Sequence, residues 1–176
     1  GLKAHELDTG NVVIMDNSDS NSETVVLVGG GFACLITALE LSQTKNRPKI
    51  VLIEPRAKFV FFPLLYELLS DELNSWEVAP TYKSLVSDRG IVLIEEHVTR
   101  INTFEQIVFT SSGLQIKYSK VILGTGSKPN DFDISGVKEH ALMFHDLVDV
   151  KLLKELINKL KKCETKNNKL IIVGAG

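Results

Sequence analysis

At 176 residues the chain has room for one full domain, or for one domain and part of another. Hydrophobic residues make up 44% and charged residues 24%, an ordinary globular balance, and a formal net charge of −2 gives no electrostatic case for nucleic acid. No apolar run approaches the ~20 residues of a bilayer-spanning helix, and no signal-peptide pattern is present. Cys34 and Cys163 are too few and too far apart for a disulfide scaffold, so a reducing, cytoplasmic setting is the default.

Residues 1–23 carry Asp8, Asp16, Asp19 and Glu23 among several Asn and Ser, and are expected as a flexible acidic leader. Within it, Val12 to Met15 is apolar enough to add an edge strand.

Thr24 to Glu54 is the most informative stretch. Val25 to Val28 is short, β-branched and stopped by glycine, which predicts a strand. In the triplet Gly29-Gly30-Gly31, Gly29 permits a turn that a Cβ would obstruct, and Gly31 lets the backbone approach a pyrophosphate at the helix start. Phe32, Leu35, Ile36 and Leu39 follow at helical spacing and predict a face packed on the sheet. Asn46-Arg47-Pro48 ends the helix, Lys49 to Ile53 reads as a second strand, and Glu54 stands at its end. A carboxylate there can accept hydrogen bonds from both hydroxyls of an adenosine ribose. The order of strand, glycine turn, helix, strand and acid describes a βαβ unit that holds a dinucleotide. One departure falls at position 34, where the third glycine of G-x-G-x-x-G is replaced by Cys34, slightly larger than the alanine often found there.

After Pro55-Arg56, where the arginine could rest on an adenine or be solvated, comes KFVFFPLLYELLSDEL. Phe59, Phe61 and Phe62 precede Pro63, placed for the first turn of a short helix with Leu64, Leu65, Leu68 and Leu69 as its apolar face. Such a loop can cover a flat aromatic ring, or serve as plain core. Trp76 to Val86 reads as another helix, with Pro80 near its beginning and Tyr82, Leu85 and Val86 inward. Ile91 to Ile94 predicts a buried strand, and Glu95-Glu96-His97-Val98 lies at its carboxyl end, where an open α/β sheet forms its ligand crevice. His97 has no His, Cys or Asp at metal-ligand spacing, so no metal is expected.

From Val98 to Tyr118 the apolar period becomes two, with Ile101, Ile107, Phe109, Leu114 and Ile116 alternating around a Ser111-Ser112-Gly113 turn: a small antiparallel meander. Lys120 to Leu123 returns to a buried strand and runs into Gly124-Thr125-Gly126-Ser127-Lys128-Pro129. Asn130 to His145 is loop-like. Asp146 is a good N-cap for a helix with Leu147, Val150, Leu153, Leu156, Ile157 and Leu160 on one face and Lys159, Lys161 and Lys162 near its end. After the polar Lys166-Asn167-Asn168, Leu170 to Val173 predicts a strand entering Gly174-Ala175-Gly176. That ending reads as the start of a second dinucleotide unit, and so as part of a longer protein.

The fold expected is α/β: a Rossmann-like dinucleotide-binding domain with a parallel sheet and a small antiparallel meander inserted at about 98–119, stopping at the start of a second Rossmann-like unit. Its divisions are the leader at 1–23, the first dinucleotide-binding portion at 24–145, a connecting helix and loop at 146–168, and the opening of the second unit at 169–176.

VVLVGGGFACLITALEL (25–41), FVFFPLLYELLSDELNSWEVAP (59–80), VILGTGSKP (121–129) and IIVGAG (171–176) together resemble the two-dinucleotide-binding-domain flavoproteins. The closer likeness is to the type II NADH dehydrogenases, the single-polypeptide NADH:quinone oxidoreductases, in the branch of oxygenic phototrophs. The resemblance implies FAD in the first unit and NADH or NADPH in the second, with hydride transfer to the flavin and onward reduction of a phylloquinone-type or plastoquinone-type acceptor. It implies that Gly29, Gly30, Gly31 and Phe32 line the FAD pyrophosphate, that Glu54 with Pro55 and Arg56 meets the adenosine, and that His97 and Val98 approach the adenine. Pro63 and Leu64 would lie near the isoalloxazine, Thr125 and Gly126 near the flavin or pyrophosphate, and Gly174 and Gly176 at the NAD(P)H pyrophosphate. The cofactors carry that chemistry, so no catalytic acid or base is named. A peripheral place on the cytoplasmic face of a membrane, or else a cytoplasmic one, is implied. Disulfide reductases of like architecture need a C-x4-C pair that Cys34 does not make. A sulfide:quinone reductase-like enzyme and a flavin-binding protein without turnover stand as the alternatives.

Overall fold

The computed structural model describes residues 5–7, 12–14, 23–70, 74–127, 130–131, 133–162, 169 and 171–174. The elements in chain order are β1 (His5–Leu7), β2 (Val12–Ile14), β3 (Thr24–Val28), α1 (Phe32–Ser42), β4 (Lys49–Ile53), a 3₁₀ turn (Phe62–Leu64), α2 (Leu65–Leu69), α3 (Ser75–Val78) and α4 (Tyr82–Val86). They continue with β5 (Ile91–Ile94), β6 (Val98–Asn102), β7 (Ile107–Thr110), β8 (Gln115–Lys117), β9 (Lys120–Leu123), α5 (Val137–His140) and α6 (Leu147–Lys162). The chain divides into two compact units, Gly1–Phe59 with Ala79–Lys128, and Val60–Val78 with Pro129–Gly176.

The first unit is a layered α/β domain. Its parallel sheet has the order β5-β4-β3-β9, and β3, at the interior of that sheet, is buried along its whole length. Successive side chains of a strand point to opposite faces, and the sequence uses both. Val25, Leu27, Ile50 and Leu52 pack with Cys34, Leu35, Ala38, Tyr82 and Val86 on the helical face. Val26, Val28, Val51, Ile53 and Ile94 pack with Val108, Ile116 and Tyr118 of the meander on the other. Fully burying a side chain such as Leu27 or Leu52 contributes about 1.5–3 kcal/mol, so this double-faced core fixes the register of the sheet.

The meander forms as antiparallel β6, β7 and β8, but on β7 the buried residues are Val108 and Thr110, with the expected Ile107 and Phe109 only half-buried. It is extended by part of the stretch read as a leader, because β1 and β2 form an antiparallel pair and Ile14 of β2 pairs in parallel with Gln115 of β8. Met15 lies outside the described residues.

Three expectations are corrected here. The buried face of α1 is Cys34, Leu35 and Ala38, whereas Phe32 is 58% and Ile36 39% exposed; the helix turns its smaller residues to the sheet. The single helix expected over 76–86 is two, α3 and α4, parted at residues 79–81. There Phe59 N–H donates to the Pro80 carbonyl (2.9 Å), Lys58 bridges Thr81, and the Thr81 hydroxyl accepts from Ser84 N–H as the N-cap of α4. β5 and β9, both expected buried, are the two edge strands: β5 is half-buried except at Ile94, and Leu123 of β9 is 64% exposed.

In the second unit Leu65, Val78 and Val150 form a core flanked by Val60, Leu64, Leu68, Leu69 and Leu147. Pro63 occupies the start of the 3₁₀ turn, and the Phe62 ring stacks on His145 with centroids 4.7 Å apart. Asp146 caps α6 as expected, accepting from Asp149 N–H at 2.9 Å, and Asp149 returns the bond by accepting from Asp146 N–H and His145 N–H. Lys159, Lys161 and Lys162 fall in the last turn of α6, where cations oppose the helix dipole. The strand expected at Leu170 to Val173 is not formed among the described residues: Ile171, Ile172 and Val173 are 81%, 79% and 93% exposed and join no ladder. A strand needs a neighbour to satisfy its backbone, and no described strand supplies one there. Cys163, residues 166–168 and Gly176 lie outside the described residues.

Candidate dinucleotide-binding site

The carboxyl ends of the parallel strands bring together Gly29-Gly30-Gly31 after β3, Glu54-Pro55-Arg56 after β4 and Gly124-Thr125-Gly126 after β9. Glu54 N–H continues the β4 ladder by donating to the Ile94 carbonyl (2.9 Å), and Gly124 N–H donates to the Val28 carbonyl (2.8 Å). The three turns therefore leave the sheet from fixed positions.

Close packing dictates glycine in two of them. Gly29 has φ +93°, in the left-handed region, and a Cβ there would overlap the Gly124 carbonyl. At Gly124 a Cβ would overlap the Cys34 sulfur, so the cysteine at the third-glycine position is accommodated by a glycine ninety residues away in the next turn. Cys34 is wholly buried, and burial pushes its thiol pKa up. It packs; it is not poised to react.

Glu54 is 3% exposed and is held by four donors. Gly30 N–H reaches Oε2 at 2.6 Å and Arg56 N–H reaches Oε1 at 2.9 Å; the Arg56 guanidinium forks onto both oxygens, Nε–Oε1 at 2.7 Å and NH2–Oε2 at 3.1 Å. Burial works against the charge, but the hydrogen bonds from Arg56 and Gly30 outweigh it and hold the carboxyl below the usual range. The same bond holds the Arg56 guanidinium charged. Arg56 is thus paired with Glu54, with its side chain 52% exposed.

Tyr82 was foreseen only as a core residue. Its hydroxyl donates to the Gly30 carbonyl at 2.6 Å, accepts weakly from Arg56 at 3.5 Å, and its ring lies where a Gly30 Cβ would stand 2.5 Å away. Burial, and next the Glu54 charge, push its pKa up to about 12. The amino end of α1 has Gly31 as its cap residue, no side-chain cap and no acidic residue in its first turn. Uncapped N–H groups and the positive end of the dipole make such an end receptive to an anion.

The remaining expected residues are less enclosed. His97 is exposed and its carbonyl accepts from Ser111 N–H (2.9 Å); Val98 opens β6 opposite Thr110. Glu96 accepts from the Ser112 hydroxyl at 2.8 Å, and hydrogen bonds from Thr110 first, then Ser112, lower its pKa. Thr125 and Gly126 are exposed, the latter with φ +75°. Pro63, Leu64 and Gly174 belong to the second unit. Among the described residues no group of three or more His, Cys, Asp or Glu could hold a metal ion, and no helix is long and apolar enough to cross a membrane.

A parallel sheet with a glycine turn, an uncapped helix start and a buried acid along its carboxyl edge is the architecture of the Rossmann-type oxidoreductase domains. Residues 23–176 match the family model described as pyridine nucleotide-disulphide oxidoreductase, and the chain belongs to that family. It is 31% identical over 160 residues to the demethylphylloquinone reductase NdbB of Synechocystis sp., covering 86% of this chain and 40% of that protein. It is 30% identical over 178 residues to the alternative NAD(P)H-ubiquinone oxidoreductase C1 of Arabidopsis thaliana, covering 90% of this chain and 34% of that one. The sulfide:quinone oxidoreductase structure from Aquifex aeolicus superposes with a TM-score of 0.73 at 25% identity, over 80% of this chain and 32% of that one. The resemblance to the type II NADH dehydrogenases is borne out by the two curated relatives. The chain spans between 34% and 40% of their length.

Proposed function

We propose that the first unit binds FAD, with the pyrophosphate over Gly29-Gly30-Gly31-Phe32 and the adenosine ribose at Glu54. The observation that carries this reading is a buried, ionised carboxylate tied to the glycine turn through Gly30 N–H. The residues fit the cofactor. Gly29 and Gly124 let the two turns and the start of α1 pack closely where a Cβ would clash, the start of α1 offers donors, and Glu54 offers acceptors. The four donors on Glu54 use the lone pairs that a ribose diol requires. Arg56, half exposed, is the partner that yields, turning outward as the hydroxyls take its place beside Pro55. His97 and Val98 meet the adenine, and Thr125 and Gly126 border the pyrophosphate. For Pro63, Leu64, Gly174 and Gly176 the roles rest on the resemblance alone.

FAD supplies the chemistry, accepting a hydride from NADH or NADPH and passing electrons to a quinone. The chain's part is to bind and orient it. Relatives named as quinone-directed oxidoreductases support that activity for the whole protein; a peripheral place on the cytoplasmic face of a membrane rests on the resemblance alone. The sulfide-directed alternative gains nothing from Cys34, which is buried with a raised pKa. Titration of the chain with FAD and with riboflavin, followed by flavin fluorescence, tests the reading. FAD should quench and saturate while riboflavin does not; equal behaviour of the two would refute a site built on phosphate and ribose.

A further inference from the structure

We infer that Tyr82 is a positioning residue for the pyrophosphate: its hydroxyl, by holding the Gly30 carbonyl, aims the Gly31 N–H into the ligand crevice. The inference rests on the nucleotide reading above and adds a residue to it from α4.

A trans peptide is planar, with its C=O and the following N–H pointing in opposite directions. The described chain has no cis peptide, so this holds for the bond joining Gly30 to Gly31. The Gly30 carbonyl is drawn at 2.6 Å to a Tyr82 hydroxyl that is wholly buried beneath the glycine turn. Gly31 N–H must therefore point away from the core, and it meets no acceptor among the described residues. On the other side of the same residue, Gly30 N–H is fixed on Glu54 at 2.6 Å. Gly30 is thus clamped through both backbone polar groups, and its lack of a side chain lets the Tyr82 ring close on it. Gly31 is half-buried, and Phe32 and Ala33 beyond it are exposed, so the aimed N–H faces an accessible edge. A glycine turn is the most permissive backbone in the chain. Without the hydroxyl this peptide is free to rotate, and the donor is no longer held ready for an anion.

Tyr82→Phe keeps the ring in the core and removes only the hydroxyl. Calorimetric titration of wild type and Tyr82→Phe with ADP and with adenosine separates phosphate positioning from general loss of structure. The expected result is a roughly tenfold weaker ADP affinity in the variant, with adenosine affinity within about twofold of wild type. An equal loss for both ligands, or for neither, overturns the inference and leaves the nucleotide site standing. Absence of ADP binding to wild type sinks the nucleotide site itself and the inference with it. If Tyr82→Phe does not fold, the amide spectrum of wild type decides. The Gly31 N–H resonance should move on adding ADP and stay in place with adenosine; no movement with ADP overturns the inference.

Discussion

The Glu54 carboxylate accepts a 2.6 Å hydrogen bond from the Gly30 N–H, joining the end of β4 to the turn that follows β3. This one contact makes the acid both a ligand group and a brace for the glycine turn. Its charge is retained despite burial because Arg56 and Gly30 supply donors to both oxygens. Substituting it therefore affects binding and stability together.

Glu54→Gln keeps the shape and removes the charge. It leaves the Arg56 guanidinium facing an amide and turns one acceptor oxygen into a donor opposite Gly30 N–H or Arg56. Charge-assisted bonds of this kind contribute about 1.5–3 kcal/mol, so FAD or ADP affinity should fall roughly 10- to 100-fold. A fluorescence titration measures it; an unchanged affinity would remove Glu54 from the site.

Arg56→Ala should separate the two roles. The fork stabilises the ligand-free chain, by no more than about 1 kcal/mol because Arg56 is half exposed and its charge is screened. It also competes with the ribose for the Glu54 oxygens. The variant should show a lower urea midpoint without ligand and an ADP affinity equal to or above wild type. A marked loss of ADP affinity would mean that Arg56 contacts the nucleotide directly.

Cys34 and Gly124 should behave as a coupled pair. Gly124→Ala drives a methyl into the cysteine sulfur and should cost about 1–3 kcal/mol, as overpacking of a rigid core does. Adding Cys34→Gly opens that space, so the double variant should be more stable than additivity allows. Urea unfolding of the two single variants and the double variant gives the coupling; strict additivity would contradict it.

The parallel strands and the glycine turn are legible in the sequence because each strand is a short β-branched run with glycine or an acid at its end. The face of α1 is less so. Phe32 and Ile36 outrank Cys34 and Ala38 in hydrophobicity, yet close approach of helix to sheet favours the small side chains. The break between α3 and α4 depends on residues 57–59 coming alongside 80–82, a pairing invisible to local periodicity. The bond from Tyr82 to Gly30 joins residues 52 apart and leaves no local signal beyond an inward-facing aromatic. Ile171-Ile172-Val173 carries strong strand propensity, but propensity forms no ladder without a partner.

The dependence of stability on pH follows from two groups. Glu54 has a lowered pKa in the folded chain, so its stabilisation is present above the carboxylate's unfolded pKa of about 4.3 and is lost as pH falls through the folded value. Tyr82 is raised from 10.0 to about 12, so its contribution is complete below 10.0 and is lost as pH climbs from there through about 12. Urea midpoints across pH should decline at both ends. The acid decline should be shallower in Glu54→Gln and the alkaline decline shallower in Tyr82→Phe; unchanged limbs in these variants would assign the titrations elsewhere.

A crystal structure of the chain with ADP tests the central claim most directly. The account predicts the ribose hydroxyls on Glu54, the Arg56 fork opened, and a phosphate oxygen within hydrogen-bond distance of Gly31 N–H. A nucleotide bound elsewhere, with the Arg56–Glu54 pair intact, would contradict it.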